Sequence, residues 1–364
     1  MRSQIETLLR QADQLPNGHA KTDLTREAVN LADVARDLEL QFRSRLEHVE
    51  ATTFSGQVSE AIVAYIWLLN HREEFGASRD QTLLWSYKWI LDSAIEVADF
   101  SKAQVEHFLT DARTRFEAYL GPNIRPIESI EITYRIQTGE FDKARELMAK
   151  VENSNRGRLS DCLACERSRR AIDWFQLGKP EKAAALNDDF LQRRLSCSEE
   201  PTRTNSRAAL YYMVVGRPED AAVAYRAGSA KAQRTDSLIL KCARFGIAYK
   251  LLAGRPADAI PIFDRSLRVY LASIEKWPVF EFCLIAHRLM EQQAEAGKKE
   301  VRLKSAALLP FMAGSDSPVP IRELSTWLRD QAKEIGTKFD ARNSATYFAE
   351  RIETGWPFVV GAPS

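Results

Sequence analysis

Net charge is nearly absent from this sequence: 51 lysines and arginines stand against 50 aspartates and glutamates, leaving +1 over 364 residues. A chain built to grip nucleic-acid phosphates carries a surplus of positive charge, so the balance argues against a nucleic-acid partner. Cysteine is scarce and odd in number, with five residues, which does not fit the disulfide framework of a small secreted domain. No run approaches the roughly 18 uninterrupted apolar residues of a membrane-spanning helix. The opening segment Met-Arg-Ser-Gln-Ile-Glu-Thr-Leu-Leu-Arg lacks the apolar core of a secretory signal. The expectation is a protein of the cytoplasm with no membrane partner.

Catalytic motifs are missing too. The five histidines, His19, His48, His71, His107 and His287, are scattered with no His-x-x-x-His pair. There is no His-Glu-x-x-His, no phosphate-binding glycine loop and no Gly-x-Ser-x-Gly elbow. Paired carboxylates such as Glu73/Glu74 and Asp188/Asp189 are sequence neighbours that point apart on a helix. No catalytic residue is assigned, and the chain is not expected to be an enzyme.

What the sequence does contain is repetition. Hydrophobic residues make up 45%, enough for a folded interior, and the 28% of charged residues are interleaved by sign as on solvated helix faces. A pattern Gly-x-x-x-x-Ala, with apolar helical periodicity on both sides, occurs at Gly139/Ala144, Gly178/Ala183, Gly216/Ala221 and Gly254/Ala259, its turns 39, 38 and 38 residues apart. An earlier copy is Gly56/Ala61, and Ala98/Ala103 fits the same frame with alanine in place of glycine. Glycine can adopt the left-handed conformation that ends a helix. Pro180, Pro218 and Pro256 suit the first turn of the next, where an amide is not needed. The alanine lets the second helix approach the first, and Tyr65, Met148, Tyr225 and Phe263 follow one turn later on the same face. Trp174 and Tyr212, four residues before their glycines, would fill the hairpin interior.

These copies resemble the tetratricopeptide repeat, in a form longer than the usual period of about 34 residues. The segments Thr-Phe-Ser-Gly at 53–56, Leu-Leu-Trp-Ser-Tyr-Lys-Trp at 83–89 and Asp-Cys-Leu-Ala-Cys at 161–165 are, together, similar to a family of bacterial tetratricopeptide proteins. In that family a Cys-x-x-Pro-His-x-Thr-like segment follows; here Cys197-Ser-Glu-Glu-Pro-Thr-Arg-Thr places Thr202 where the histidine would fall. The resemblance implies an all-α fold, a right-handed superhelical solenoid of antiparallel helix pairs, and implies no activity. Residues 1–306 are expected to form the solenoid. Residues 307–364 are expected to form a loop, a capping amphipathic stretch with Trp327, Ile335, Phe339 and Phe348, and an apolar tail, Trp356 to Val360, packed back on the last helices.

Two constellations stand out. Cys162 lies 16 residues before Gly178 and Cys197 lies 19 after it, so in a hairpin turning at that glycine Cys162, Cys165 and Cys197 would meet at the open end. Three thiolates suit structural zinc, with Asp161, Glu199 or Glu200 as fourth ligand; buried packing residues or redox chemistry are the other readings. The second is basic. The first helices of successive repeats carry Arg169, then Arg203 and Arg207, then Lys241 and Arg244, which would line one wall suited to an acidic peptide or carboxylate. The alternative is that these charges are solvated or paired with Glu166 and Glu200. Trp67, Trp85, Tyr87 and Trp89 read as core before recognition pocket, and His107 as a core plug.

The expected function is a scaffold that binds a peptide or protein partner in its groove. A sensor binding a peptide or metabolite is the first alternative, and a zinc-dependent hydrolase at the cysteines the last.

Overall fold

The structure is a computed structural model and describes residues 1–197, 200–312 and 318–355. Eighteen α-helices occupy most of the described residues. In order they are α1 (Arg2–Asp13), α2 (His19–Ala35), α3 (Leu38–Phe54), α4 (Val58–Asn70), α5 (Arg72–Phe75), α6 (Asp80–Glu96), α7 (Lys102–Leu120), α8 (Arg125–Gln137) and α9 (Phe141–Asn153). They continue as α10 (Leu163–Gln176), α11 (Pro180–Gln192), α12 (Thr202–Val214), α13 (Pro218–Ala232), α14 (Asp236–Leu252), α15 (Ile260–Ala272), α16 (Lys276–Glu295), α17 (Ile321–Asn343) and α18 (Tyr347–Thr354). Among the described residues no helix is long and apolar enough to cross a membrane.

The repeat pattern builds the hairpins as its residues dictate. Gly56, Gly139, Gly178, Gly216 and Gly254 all take positive φ, between 69° and 76°. Each turn is closed by a bond reaching back five residues: Gln57 N to Thr52 O, Glu140 N to Arg135 O, Lys179 N to Trp174 O, Arg217 N to Tyr212 O and Arg255 N to Lys250 O, at 2.8 to 2.9 Å. This closure satisfies carbonyls that the helix end leaves open. The partner alanines Ala61, Ala144, Ala183, Ala221 and Ala259 are fully buried. Pro180 and Pro218 open α11 and α13, while Pro256 opens a single 3-10 turn ahead of α15.

The sixth copy is a correction. Ala98 lies in a turn outside any helix and Ala103 is exposed. There α7 starts instead from a Ser101/Gln104 capping box, and its buried face runs through Val105, Leu109, Ala112 and Phe116. His107 lies off that face and is exposed, so it plugs no core.

The chain packs as two compact units, one formed by Met1–Glu131 with Ala149–Ser160, the other by Ile132–Met148 with the residues from Asp161 onward. In the first, α1, α2 and α3 share a cluster of Ile5, Leu8, Leu9, Ala28, Ala32 and Leu40, and Tyr65 and Tyr87 meet between α4 and α6 at 5.1 Å. In the second, the hairpins α10/α11, α12/α13 and α14/α15 bring their first helices side by side, with α16 next to α14.

The described residues of the C-terminal segment expected to form a cap, 307–312 and 318–355, fall in this second unit with the repeats before them. A two-residue antiparallel bridge, Glu300–Val301 with Val319–Pro320, closes the loop after α16. Then α17 packs along α16, and Phe348 of α18 stacks on Phe339 at 4.6 Å and meets Phe280 edge-on at 4.8 Å. The apolar stretch Trp356 to Val360 lies outside the described residues.

Candidate functional site

The basic residues expected along one wall belong to α10, α12 and α14 of the second unit. Arg203, Arg207 and Tyr211 follow one another at four-residue intervals on α12, so they share a side of that helix. Arg207 Nη1 lies 3.2 Å from Ser168 Oγ of α10 and its guanidinium 5.9 Å from the Phe245 ring of α14. Its Nε is buried with no hydrogen-bond partner among the described residues, and no carboxylate lies within 4 Å. Burial, reinforced by the neighbouring Arg203 and Arg244, lowers its affinity for its proton below the ordinary arginine value. Tyr211 is 1% exposed with an unpartnered hydroxyl, and burial raises its pKa.

The other four residues of the ridge are placed differently. Arg203 gives its Nε to Glu200 at 3.1 Å and lies 3.5 Å from the Cys165 sulfur. Arg169 and Lys241 are half-buried on α10 and α14, and neither is without a partner. Arg244 departs from the expected wall: it is buried, and its Nε reaches Glu281 on α16 at 2.8 Å. Glu281 also accepts from Arg351 of α18 at 3.0 Å, which makes a buried Arg–Glu–Arg bridge across α14, α16 and α18. Burial would raise the Glu281 pKa, yet the two guanidinium groups outweigh it and hold the carboxyl below its ordinary range. Arg244 is thus a strut. Among the described residues, Arg207 has no carboxylate within 4 Å, Glu200 acting on it only from a distance.

Beside Arg203 the three cysteines converge. Cys162 caps α10, its sulfur accepting the Cys165 amide at 3.3 Å. Cys197, on the strand of chain leading into α12, brings its sulfur to 3.5 Å from that of Cys165, and all three sulfurs lie within 4.8 Å of one another. The near-equal arms of the α10/α11 hairpin put them there. Cys162 is exposed; Cys165 and Cys197 are half-buried. Burial pushes the Cys165 thiol pKa well up, against the pull of Arg203. Glu200, a fourth-ligand candidate, turns both oxygens inward: one accepts from Arg203, the other from Thr204 N and Oγ1 at 2.9 and 2.8 Å. Asp161 is half-buried and already partnered. Glu199 lies outside the described residues. Thr202, in the place of the family's histidine, is buried in the first turn of α12.

The aromatic residues of the first unit serve mainly as core. Tyr87 is buried, its hydroxyl 2.8 Å from Asp111. Trp67 is sandwiched between His71 and the Arg45 guanidinium. Trp85 covers the buried Lys88 ammonium, which donates to Leu159 O at 2.7 Å.

Sequence reading missed an open groove between α16, α17 and α18, where His287 Nδ1 lies 2.9 Å from Ser325 Oγ and 3.1 Å from Ser325 O. Nothing short-range signals it, because the two residues are 38 positions apart.

No protein-family model matches the chain, and no curated protein does. Among solved structures, a tetratricopeptide repeat protein from Parabacteroides merdae is similar at 13% identity and a TM-score of 0.42, over 83% of this chain and 98% of that one.

Proposed function

We propose that the chain is a binding protein that holds an acidic peptide segment of a protein partner on the α10–α12–α14 face, with Arg207 as the anchor. One observation supports this above others: a largely buried guanidinium with no carboxylate within 4 Å and an unpartnered Nε. A buried charge left unpaired costs several kcal/mol. A carboxylate arriving from a partner offsets that cost and forms charge-assisted bonds worth roughly 1.5–3 kcal/mol, or about ten- to hundredfold in affinity. Tyr211 and Ser168 lie close enough to share in orienting the anion. Arg203, committed to Glu200 and the sulfurs, tunes the local field.

The experiment is a peptide array of acidic, neutral and basic fifteen-residue sequences probed with the full chain and with Arg207→Met. Retention confined to acidic peptides, and lost in the variant, is the expected result. Binding that ignores peptide charge, or survives the substitution, would overturn the assignment.

A further inference from the structure

The three sulfurs at the open end of the α10/α11 hairpin have a geometry that packing alone does not require. We infer that Cys162, Cys165 and Cys197 form a zinc(II) site that clamps the start of α10 to the segment entering α12.

Zinc–sulfur bonds of about 2.3 Å at tetrahedral angles place sulfurs roughly 3.8 Å apart. The observed 3.5 Å between Cys165 and Cys197, and the 4.8 Å bound on all three, therefore lie within about 1 Å of that spacing. Local structure is already that of a ligand turn. Cys162-x-x-Cys165 opens a helix, with the Cys165 amide donating to the Cys162 sulfur, a bond that favours the thiolate. Three thiolates and one zinc(II) carry −1, and the Arg203 guanidinium, shared with Glu200, lies against that charge at 3.5 Å from the Cys165 sulfur. On binding, three S–H bonds give way to three Zn–S bonds and the protons pass to solvent. With both Glu200 oxygens already engaged, a water molecule would complete the four-coordinate set. Soft sulfur donors select zinc over magnesium or calcium.

The remaining two cysteines sharpen the comparison. Cys242 and Cys283 are buried apart from the cluster, so a general preference for buried thiols does not account for three converging at a surface.

The test uses full-length, reduced protein titrated with zinc(II) against a chromophoric chelator, and separately with cobalt(II) to read the thiolate-to-metal absorption band. One zinc per chain and a cobalt band of tetrahedral thiolate type are expected. Cys162→Ser keeps a good helix cap, since serine is a preferred N-cap residue, and should fold while losing at least about tenfold in zinc affinity. In the wild type, zinc should slow alkylation of Cys162, Cys165 and Cys197, mapped by peptide mass, and leave Cys242 and Cys283 unchanged; magnesium should do neither. Zinc affinity equal in wild type and Cys162→Ser overturns the site. So does a Cys165–Cys197 disulfide that forms equally fast with and without zinc. Neither outcome touches the Arg207 proposal, which is read from peptide binding and rests on a residue one turn further along α12.

Discussion

Arg207 reaches across from α12 to Ser168 on α10, Nη1 to Oγ at 3.2 Å, and among the described residues no carboxylate comes within 4 Å of it. A guanidinium kept for structure would be paired, as Arg244 is with Glu281. Replacing Arg207 by methionine should therefore raise stability. The expected gain is about 1 kcal/mol, or roughly 2–4 °C in melting temperature. A thermal melt checks it, and a fall of several degrees would assign Arg207 to the core instead.

Glu281→Gln carries the opposite sign. It removes the carboxylate that bridges Arg244 and Arg351, and breaking such a buried bridge costs about 3 kcal/mol. Because the folded carboxyl sits below its ordinary pKa, its contribution is full above the unfolded value and fades as pH falls through the folded one. Urea midpoints measured from pH 7 to pH 3 should decline more steeply in the wild type than in the variant.

His48 gives a second pH signature in the first unit. It is 4% exposed, between Thr25 Oγ1 at 2.9 Å and Glu60 Oε1 at 3.1 Å. Burial lowers its pKa despite the opposing pull of Glu60. Below about pH 6.5 the unfolded chain takes up a proton that the folded one resists, so stability is lost as pH drops, by up to about 1.4 kcal/mol per pH unit. His48→Gln should flatten the pH dependence of unfolding below about pH 6.5, which guanidinium titrations will show.

Two glycines separate backbone strain from steric contact. At Gly216, φ is 75° and an added methyl would meet nothing within 4 Å, so Gly216→Ala should cost about 1 kcal/mol through conformation alone. Gly228 of α13 faces α12 so closely that a methyl would lie 2.8 Å from Ser206 N. Gly228→Ala must spread the two helices and should cost roughly 2–3 kcal/mol. Equal losses at the two positions would contradict the packing described.

The hairpins were legible because their signals are local: a glycine, a proline and an alanine within six residues determine a turn and its contact. The cysteine cluster was legible too, since equal arms around Gly178 bring their ends together whatever the detail. Legibility ends where a residue's partner comes from a distant repeat. Arg244 looks like Arg207 in sequence, yet Glu281 lies 37 residues further on and decides its role. Ala103 and His107 were misplaced by extending the alanine frame to a turn without glycine, where Ser101 sets a different start for α7. Ser168 and Tyr211 went unnoticed because neither a hydroxyl that accepts from a guanidinium on the next helix nor a buried one without a partner has a sequence pattern.

The most direct test is a double-mutant cycle by isothermal titration, using an acidic peptide that binds the chain. Each peptide glutamate or aspartate is changed to its amide and measured against wild type and Arg207→Met. The account predicts one acidic position whose loss costs roughly 1.5–3 kcal/mol with the wild type and almost nothing with the variant. Additive losses at every position, with no coupling to Arg207, would contradict it.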